Sequence, residues 1–301
     1  MTACLVFGAD GFIGRHVMDA RALFLQCVGA APVAAPRDVD IRDASGVRAL
    51  LRECKPRHVV HLAALAFVPD SFANPLATYE VNLTGTLNLL SALGESGFDG
   101  KMLFVSSAEV YGAVADADLP VVETQRFAPR TPYAVSKAAA ELACLQHSLQ
   151  GRLDISIVRP FNVIGPGQSS KFAVSSFAQQ IALLEAVGGG EIAVGNLDVT
   201  RDFVDVEDAV SGLAAILAAG LSGEAYNLCS GTETRIQEIL DQMVAMANVP
   251  VSIHYDASRG RPAEQRRIAG SFRKLNAATG WRPTRDLATT LRAIVDDWRV
   301  R

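Results

Sequence analysis

Gly8-Ala9-Asp10-Gly11-Phe12-Ile13-Gly14 follows directly on a short apolar run that begins at Ala3. The run has the length of a strand, and the residues from Phe12 onward have helical spacing. A strand that turns at once into a helix needs residues without a Cβ where the backbone folds tightly. It needs them again where a pyrophosphate approaches the helix N-terminus, whose free N–H groups and dipole favour anions. The spacing here is G-x-x-G-x-x-G rather than G-x-G-x-x-G. By itself the segment also fits a glycine-rich turn with no ligand. Its place right after the first strand favours a dinucleotide cradle.

Working outward, strand and helix signals alternate through the first 160 residues. Apolar runs of strand length lie at residues 4–7, 59–62, 103–105 and 155–158, with a further one near 24–28. The clearest helix opens at Asn74-Pro75, a cap residue followed by proline at the first helical position. It runs through Leu76, Val81, Leu87 and Leu90 to about Leu93. Continuous apolar strands between helices imply an α/β fold, a Rossmann-type doubly wound parallel sheet. After Pro160 the pattern changes. Gly165-Pro166-Gly167 and Gly188-Gly189-Gly190 punctuate the chain, and short strands at 192–194 and 225–228 alternate with helices at 206–218 and 235–247. The expected organisation is a dinucleotide-binding Rossmann domain over 1–160. A smaller, mainly substrate-binding α/β region follows over 161–301, with some segments returning to the first sheet.

Composition narrows the function classes. A formal charge of −4 and no cluster of Lys or Arg give no electrostatic footprint for nucleic acid. Cys4, Cys27, Cys54, Cys144 and Cys229 are scattered without paired spacing and read as reduced thiols of a cytoplasmic protein. The five histidines form no ligand cluster, so no metal is expected. No segment reaches the ~20 apolar residues that span a bilayer, so no membrane partner is expected. The chain enters a strand at once, which leaves no room for a signal peptide.

The chemistry sits at Tyr133-Ala134-Val135-Ser136-Lys137. Pro132 suits a first helical turn, and a spacing of four puts Tyr133 and Lys137 on one helix face. A phenol with a reference pKa of about 10 is a poor acid–base catalyst at neutral pH. A neighbouring ammonium lowers that pKa, which tunes the tyrosine toward working pH. Ser107 ends the apolar run at 103–105, on the edge where open α/β sheets bind ligands. Its hydroxyl is placed to hold a carbonyl oxygen beside Tyr133. A Y-x-x-x-K pair alone fits any amphipathic helix; the serine strand and the N-terminal glycines in this order set it apart.

With these residues in hand, the chain resembles the extended short-chain dehydrogenase/reductases over essentially its whole length. The matching segments are residues 8–14, His61-Leu62-Ala63-Ala64, Val81-Asn82, Ser106-Ser107 through Val110-Tyr111-Gly112, Tyr133 to Lys137, and Arg159-Pro160-Phe161-Asn162. The resemblance implies that Tyr133 is the acid/base, that Lys137 also binds the nicotinamide ribose, and that Ser107, rather than Ser106, orients the sugar oxygen. It implies cofactor contacts from Gly8, Gly11, Phe12, Ile13, Gly14, Leu62, Ala63, Ala64 and Pro160, with Asp40 and Ile41 beside the adenine. It also implies a homodimer through helices at 78–93 and 134–149.

Finer segments are similar to the branch of that family that reduces GDP-4-keto-6-deoxy sugars. They are Phe67-Val68-Pro69-Asp70-Ser71-Phe72, Ile164-Gly165-Pro166-Gly167-Gln168, Val194-Gly195-Asn196-Leu197-Asp198, residues 201–206 and Arg261-Pro262-Ala263-Glu264. The branch implies reduction of the C4 keto group of GDP-4-keto-6-deoxy-D-mannose to give GDP-D-rhamnose. The opposite face of attack gives GDP-6-deoxy-D-talose, and motifs do not report the face. Arg201 and Arg261 match positions that hold a pyrophosphate, with Arg259 beside them; guanidinium groups bind phosphate in a forked geometry. Glu264 matches an acidic residue that accepts hydrogen bonds from guanine, and Asn162 faces the sugar. Val163 departs from the pattern, since a histidine is expected there.

Two other readings stand beside the reductase. Glu109, two residues before Tyr111, occupies the place of the catalytic glutamate of GDP-mannose 4,6-dehydratases. A non-catalytic sensor on the same fold would have lost Tyr133, Lys137 or Ser107, and all three are present. For the cofactor, NADP(H) is expected to be preferred, with NAD(H) accepted. A site for NAD places Asp or Glu ~20 residues past the glycines. Here that region reads Val33-Ala34-Ala35-Pro36-Arg37, and Arg37 is placed to meet a 2′-phosphate.

Overall fold

The computed structural model describes residues 3–256, 258 and 265–301. The strands β1 (Ala3–Phe7), β2 (Ala31–Ala34), β3 (His58–His61), β4 (Lys101–Val105) and β5 (Asp154–Pro160) belong to one parallel sheet. It is completed from far down the chain. Strands β6 (Asn162–Ile164), β7 (Gly190–Val194) and β8 (Thr200–Asp205) lie elsewhere, and β9 (Ala225–Leu228) returns to pair with β5. The resulting order is β2-β1-β3-β4-β5-β9.

Alternation along each strand sorts side chains to the two faces. Cys4, Val6, Val60, Leu103 and Val158 pack on one side, under α1 (Phe12–Asp19), α2 (Arg21–Val28) and the later α9 (Val206–Ala219). Leu5, Phe7, Val59, Met102, Phe104, Ile155 and Ile157 pack on the other. That side is covered by α3 (Ala44–Cys54), α6 (Gly85–Glu95) and α7 (Pro132–Leu149). Burial on both faces is why these strands read as unbroken apolar runs.

The run near 24–28 is not a strand. It lies in α2, with Phe24 buried and Leu25, Gln26 and Cys27 exposed, and Gly29 ends the helix in the left-handed region at φ 67°. A single buried residue per turn is helical spacing, and the strand comes after the glycine, at β2. The helix at Asn74 opens as expected: the Asn74 side chain accepts from the Ala77 amide at 3.1 Å. It is divided, however. The short α4 (Val68–Ala73) and α5 (Pro75–Tyr79) lead into a π-helical turn at Glu80–Thr84 before α6.

The second region contains β10 (Glu233–Arg235) and β11 (Val251–Tyr255). One sheet has the order β10-β8-β6, and β11 pairs with β7. Helices α8 (Ala173–Val187), α10 (Ile236–Val244) and α12 (Leu287–Arg299) share a core of Phe177, Ile181, Ile239, Leu240, Leu291 and Ile294. Helix α11 (Arg273–Thr279) packs instead on the first sheet through Leu275.

In the main sheet the chain moves from β1 out to β2, then returns to the other side of β1 for β3. Strand order therefore reverses between β1 and β3, and a crevice opens at their carboxyl ends, the place where open α/β sheets take ligands.

Candidate active site

The crevice is floored by the glycine turn. Gly8 has φ 85°, and a Cβ on it would lie 2.6 Å from the Ala63 amide nitrogen. A Cβ on Gly14 would lie 2.1 Å from the Gly8 carbonyl oxygen. Only glycine lets the end of β1 meet the end of β3 and lets α1 settle onto the turn. Gly11 caps α1 without a side-chain bond, so the first-turn amides from Phe12 to Gly14 point outward with no partner inside the helix. This backbone cradle fits a pyrophosphate. Leu62 donates its amide to Phe7 O at 2.8 Å, which carries Leu62, Ala63 and Ala64 past the end of β3 along the same crevice. Pro160 closes β5 beside Leu228.

Past β2 the outcome for the charged residues is specific. Asp40 is gripped by Arg42, whose Nη2 lies 2.6 Å away, and the guanidinium holds its carboxyl at about 2. Ile41 beside it is buried. Arg37 forms a forked pair with Asp10 of the glycine turn, at 2.9 and 2.6 Å.

The catalytic candidates converge from two elements. Helix α7 starts where the Thr131 hydroxyl accepts from the Ala134 amide at 3.0 Å and Pro132 takes the first turn. Strand β4 ends at Val105, and Ser107 caps a short 3-10 turn, Ala108–Tyr111. The Ser107 hydroxyl is close enough to the Tyr133 phenol to act on its ionisation, and both residues are at least nine-tenths buried. Lys137, one turn further, donates to Val105 O at 2.7 Å and lies over the Phe104 ring. Burial brings its ammonium down to about 8.

One expectation is corrected here. Lys137 does not lower the Tyr133 phenol. Burial pushes that phenol up to about 12, the Ser107 hydroxyl opposes the rise, and the Glu109 carboxylate adds to it. The physical reason is burial: desolvation of the phenol outweighs the other influences on it, and one donor of the Lys137 ammonium is taken by the Val105 carbonyl. A phenol at about 12 is fully protonated at neutral pH, so the site presents a proton donor rather than a base.

Behind these residues lies a group that sequence reasoning missed. Arg159 on β5 forks onto Glu141 through Nε at 3.0 Å and Nη2 at 2.6 Å. Glu141 also accepts from the Ser106 hydroxyl. Arg159 Nη1 reaches the Tyr111 hydroxyl at 2.8 Å, and that hydroxyl donates to Asn227 Oδ1 at 2.6 Å. Asn82 on the π-helical turn bonds the Ser136 hydroxyl at 2.9 Å and the Leu65 backbone. The available signal was spacing: Glu141 follows Lys137 by four, as Lys137 follows Tyr133, so all three share one face.

On the substrate side, Asn162 donates to Asp202 O at 3.2 Å. Arg201 on β8 donates to Thr200 O and to Gln265 O at 2.7 and 2.8 Å. Val163 is buried in the core and pairs with Val204, so no polar side chain is offered from that position. Arg259, Arg261 and Glu264 lie outside the described residues. Among the described residues no cluster of His, Cys, Asp or Glu could hold a metal ion, and no helix is long and apolar enough to cross a membrane.

Residues 34–294 match the model of the GDP-mannose 4,6 dehydratase family. The chain belongs to this family. The chain is 42% identical to the GDP-6-deoxy-D-mannose reductase of Pseudomonas aeruginosa, covering 98% of this chain and 97% of that protein. It is 30% identical to the GDP-6-deoxy-D-talose 4-dehydrogenase of Aggregatibacter actinomycetemcomitans, over 78% of this chain and 76% of that one. The solved structure of RMD from Pseudomonas aeruginosa complexed with NADPH superposes with a TM-score of 0.89 at 40% identity and covers the whole of both chains. Like these relatives, the chain is an oxidoreductase with a Rossmann-type parallel sheet.

Proposed function

We propose that this protein reduces the C4 keto group of GDP-4-keto-6-deoxy-D-mannose, with NADPH preferred over NADH, to give GDP-D-rhamnose. The observation that carries the reading is the buried, protonated Tyr133 with the Ser107 hydroxyl next to it, in a fold whose first strand ends in the glycine cradle. Near-complete alignment with a GDP-6-deoxy-D-mannose reductase supports the sugar. The cofactor, when bound along the cradle, supplies hydride. Ser107 holds the C4 oxygen, Tyr133 gives its hydroxyl proton to that oxygen as negative charge develops there, and Lys137 holds the nicotinamide ribose. Arg37 meets the 2′-phosphate. Arg201, with Arg259 and Arg261, takes the pyrophosphate, and Glu264 takes the guanine. On this reading residues 1–160 form the dinucleotide-binding domain and residues 161–301 mainly cover the sugar nucleotide. The five unpaired thiols suit a reducing cytoplasmic setting. Incubation with GDP-4-keto-6-deoxy-D-mannose and NADPH tests the proposal: GDP-D-rhamnose, identified by the configuration at C4, is expected. The talose epimer would reassign the face of attack, and the likeness to the talose enzyme makes it the alternative product to test against.

The dehydratase reading rests on Glu109, whose charge is felt at Tyr133. Dehydration must break the C5–H bond and needs a base at that carbon; reduction at C4 does not. Glu109→Gln keeps size and hydrogen bonding while removing the basic oxygen. The variant is expected to reduce the 4-keto sugar within about tenfold of wild type, roughly 1.4 kcal/mol in barrier. Release of a 4-keto product from GDP-mannose by the wild type, lost in Glu109→Gln, would replace the reductase with a dehydratase.

A homodimer through the α5–α6 and α7 helices is part of the same proposal. Val135, Leu142 and Leu149 recur every seven residues on α7 and are exposed, as are Leu76 and Leu87. Leu142→Glu is expected to convert a dimer to a monomer in light scattering without lowering the melting temperature of the monomer unit.

A further inference from the structure

Asp10 stands in the glycine turn between the two residues that shape it, and its carboxylate is bound by both prongs of the Arg37 guanidinium. Its carbonyl accepts from Arg15 Nη1 at 2.9 Å, and Arg15 Nη2 reaches across to Gly167 O at 2.8 Å. Asp10 and Arg37 are both well exposed, with relative side-chain exposures of 61% and 85%. Arg37 follows β2, the strand whose end lies at the adenosine ribose in a sheet of this order. The pair therefore sits where dinucleotides differ, at the ribose 2′ position.

A carboxylate and a phosphate offer the guanidinium the same forked set of oxygens. Asp10 thus occupies Arg37 in the manner of a 2′-phosphate. An exposed pair of this kind is weakly held, so it opens readily. A 2′-hydroxyl has no such claim on Arg37, and a carboxylate is the group that accepts a hydrogen bond from it. The two side chains answer to the two cofactors in opposite ways.

We infer that Asp10 sets the cofactor preference of this site: paired with Arg37 it receives a 2′-hydroxyl, and a 2′-phosphate must displace it and lie beside its charge. This rests on the dinucleotide reading above and adds the residue that limits the preference for NADP(H).

The test is binding, read apart from turnover. Dissociation constants for NADP+ and NAD+ are measured by calorimetry at fixed ionic strength on wild type, Asp10→Asn and Arg37→Ala. Asparagine keeps the turn and the shape and removes the charge. In Asp10→Asn the ratio of NADP+ to NAD+ affinity is expected to rise by about threefold to tenfold. Arg37→Ala is expected to lower that ratio below wild type. An unchanged or lower ratio in Asp10→Asn, with its melting temperature kept, overturns the role of Asp10. Failure of wild type to bind either dinucleotide overturns the reading beneath it, and that result is visible before any variant is made.

Discussion

Replacing Tyr133 with phenylalanine is expected to lower turnover by about 10²–10⁴-fold while the dinucleotide still binds. The ring keeps its packing in the wall of the crevice, and only the donor hydroxyl is lost. Because burial holds that hydroxyl at about 12, it stays protonated across the working range. Lys137, brought down to about 8 by burial, is the group that titrates first. Its cationic form exists below that value and is lost as pH rises through it, so wild-type kcat/KM is expected to fall above pH 8. Stopped-flow turnover with a 4-keto sugar nucleotide, alongside cofactor binding, checks both statements. Near-normal turnover in the Phe variant would remove Tyr133 from the chemistry, and a flat profile through pH 8 would remove Lys137.

The second large effect concerns folding. Glu141→Ala leaves the Arg159 guanidinium buried without its carboxylate. Breaking a buried pair on one side costs about 3–5 kcal/mol, because the remaining charge is stranded away from water. Side-chain exposures of 7% for Arg159 and 4% for Glu141 put this pair in that class. Thermal unfolding should shift down by on the order of 10 °C. Replacing both residues with methionine should recover most of the loss, since no charge then remains to be solvated. A single variant as stable as wild type would show that water reaches Arg159.

The architecture was legible because its determinants are local. Strands buried on both faces spell themselves as apolar runs, and glycines mark the turn where β1 meets α1. The misread run at 24–28 shows the limit. Phe24, Leu25, Cys27 and Val28 have strand composition, and only the burial of one side chain per turn separates helix from strand there. The π-helical turn at Glu80–Thr84 was also hidden, since nothing in Val81-Asn82-Leu83 distinguishes it from the helix on either side. In the candidate site, Ser107, Tyr133 and Lys137 announced themselves by order and spacing. Their supports did not. Arg159, Tyr111, Asn227 and Glu141 come from four distant segments, and only the assembled sheet brings them within bonding distance. The direction of the Lys137 ammonium was equally out of reach, because a spacing of four fixes the helix face but not the acceptor.

The late return of β9 has a consequence for biosynthesis. Until Leu228 has left the ribosome, β5 is the bare rim of the sheet, and the backbone groups along residues 157–160 that β9 later takes are open to any strand that comes near. Residues 161–224 separate the end of β5 from the strand that seals it, several seconds of synthesis at ~5–20 residues per second. A nascent chain cut short after Pro160 would thus be an adhesive fragment rather than a self-sufficient nucleotide module, and expression of residues 1–160 alone should yield aggregates.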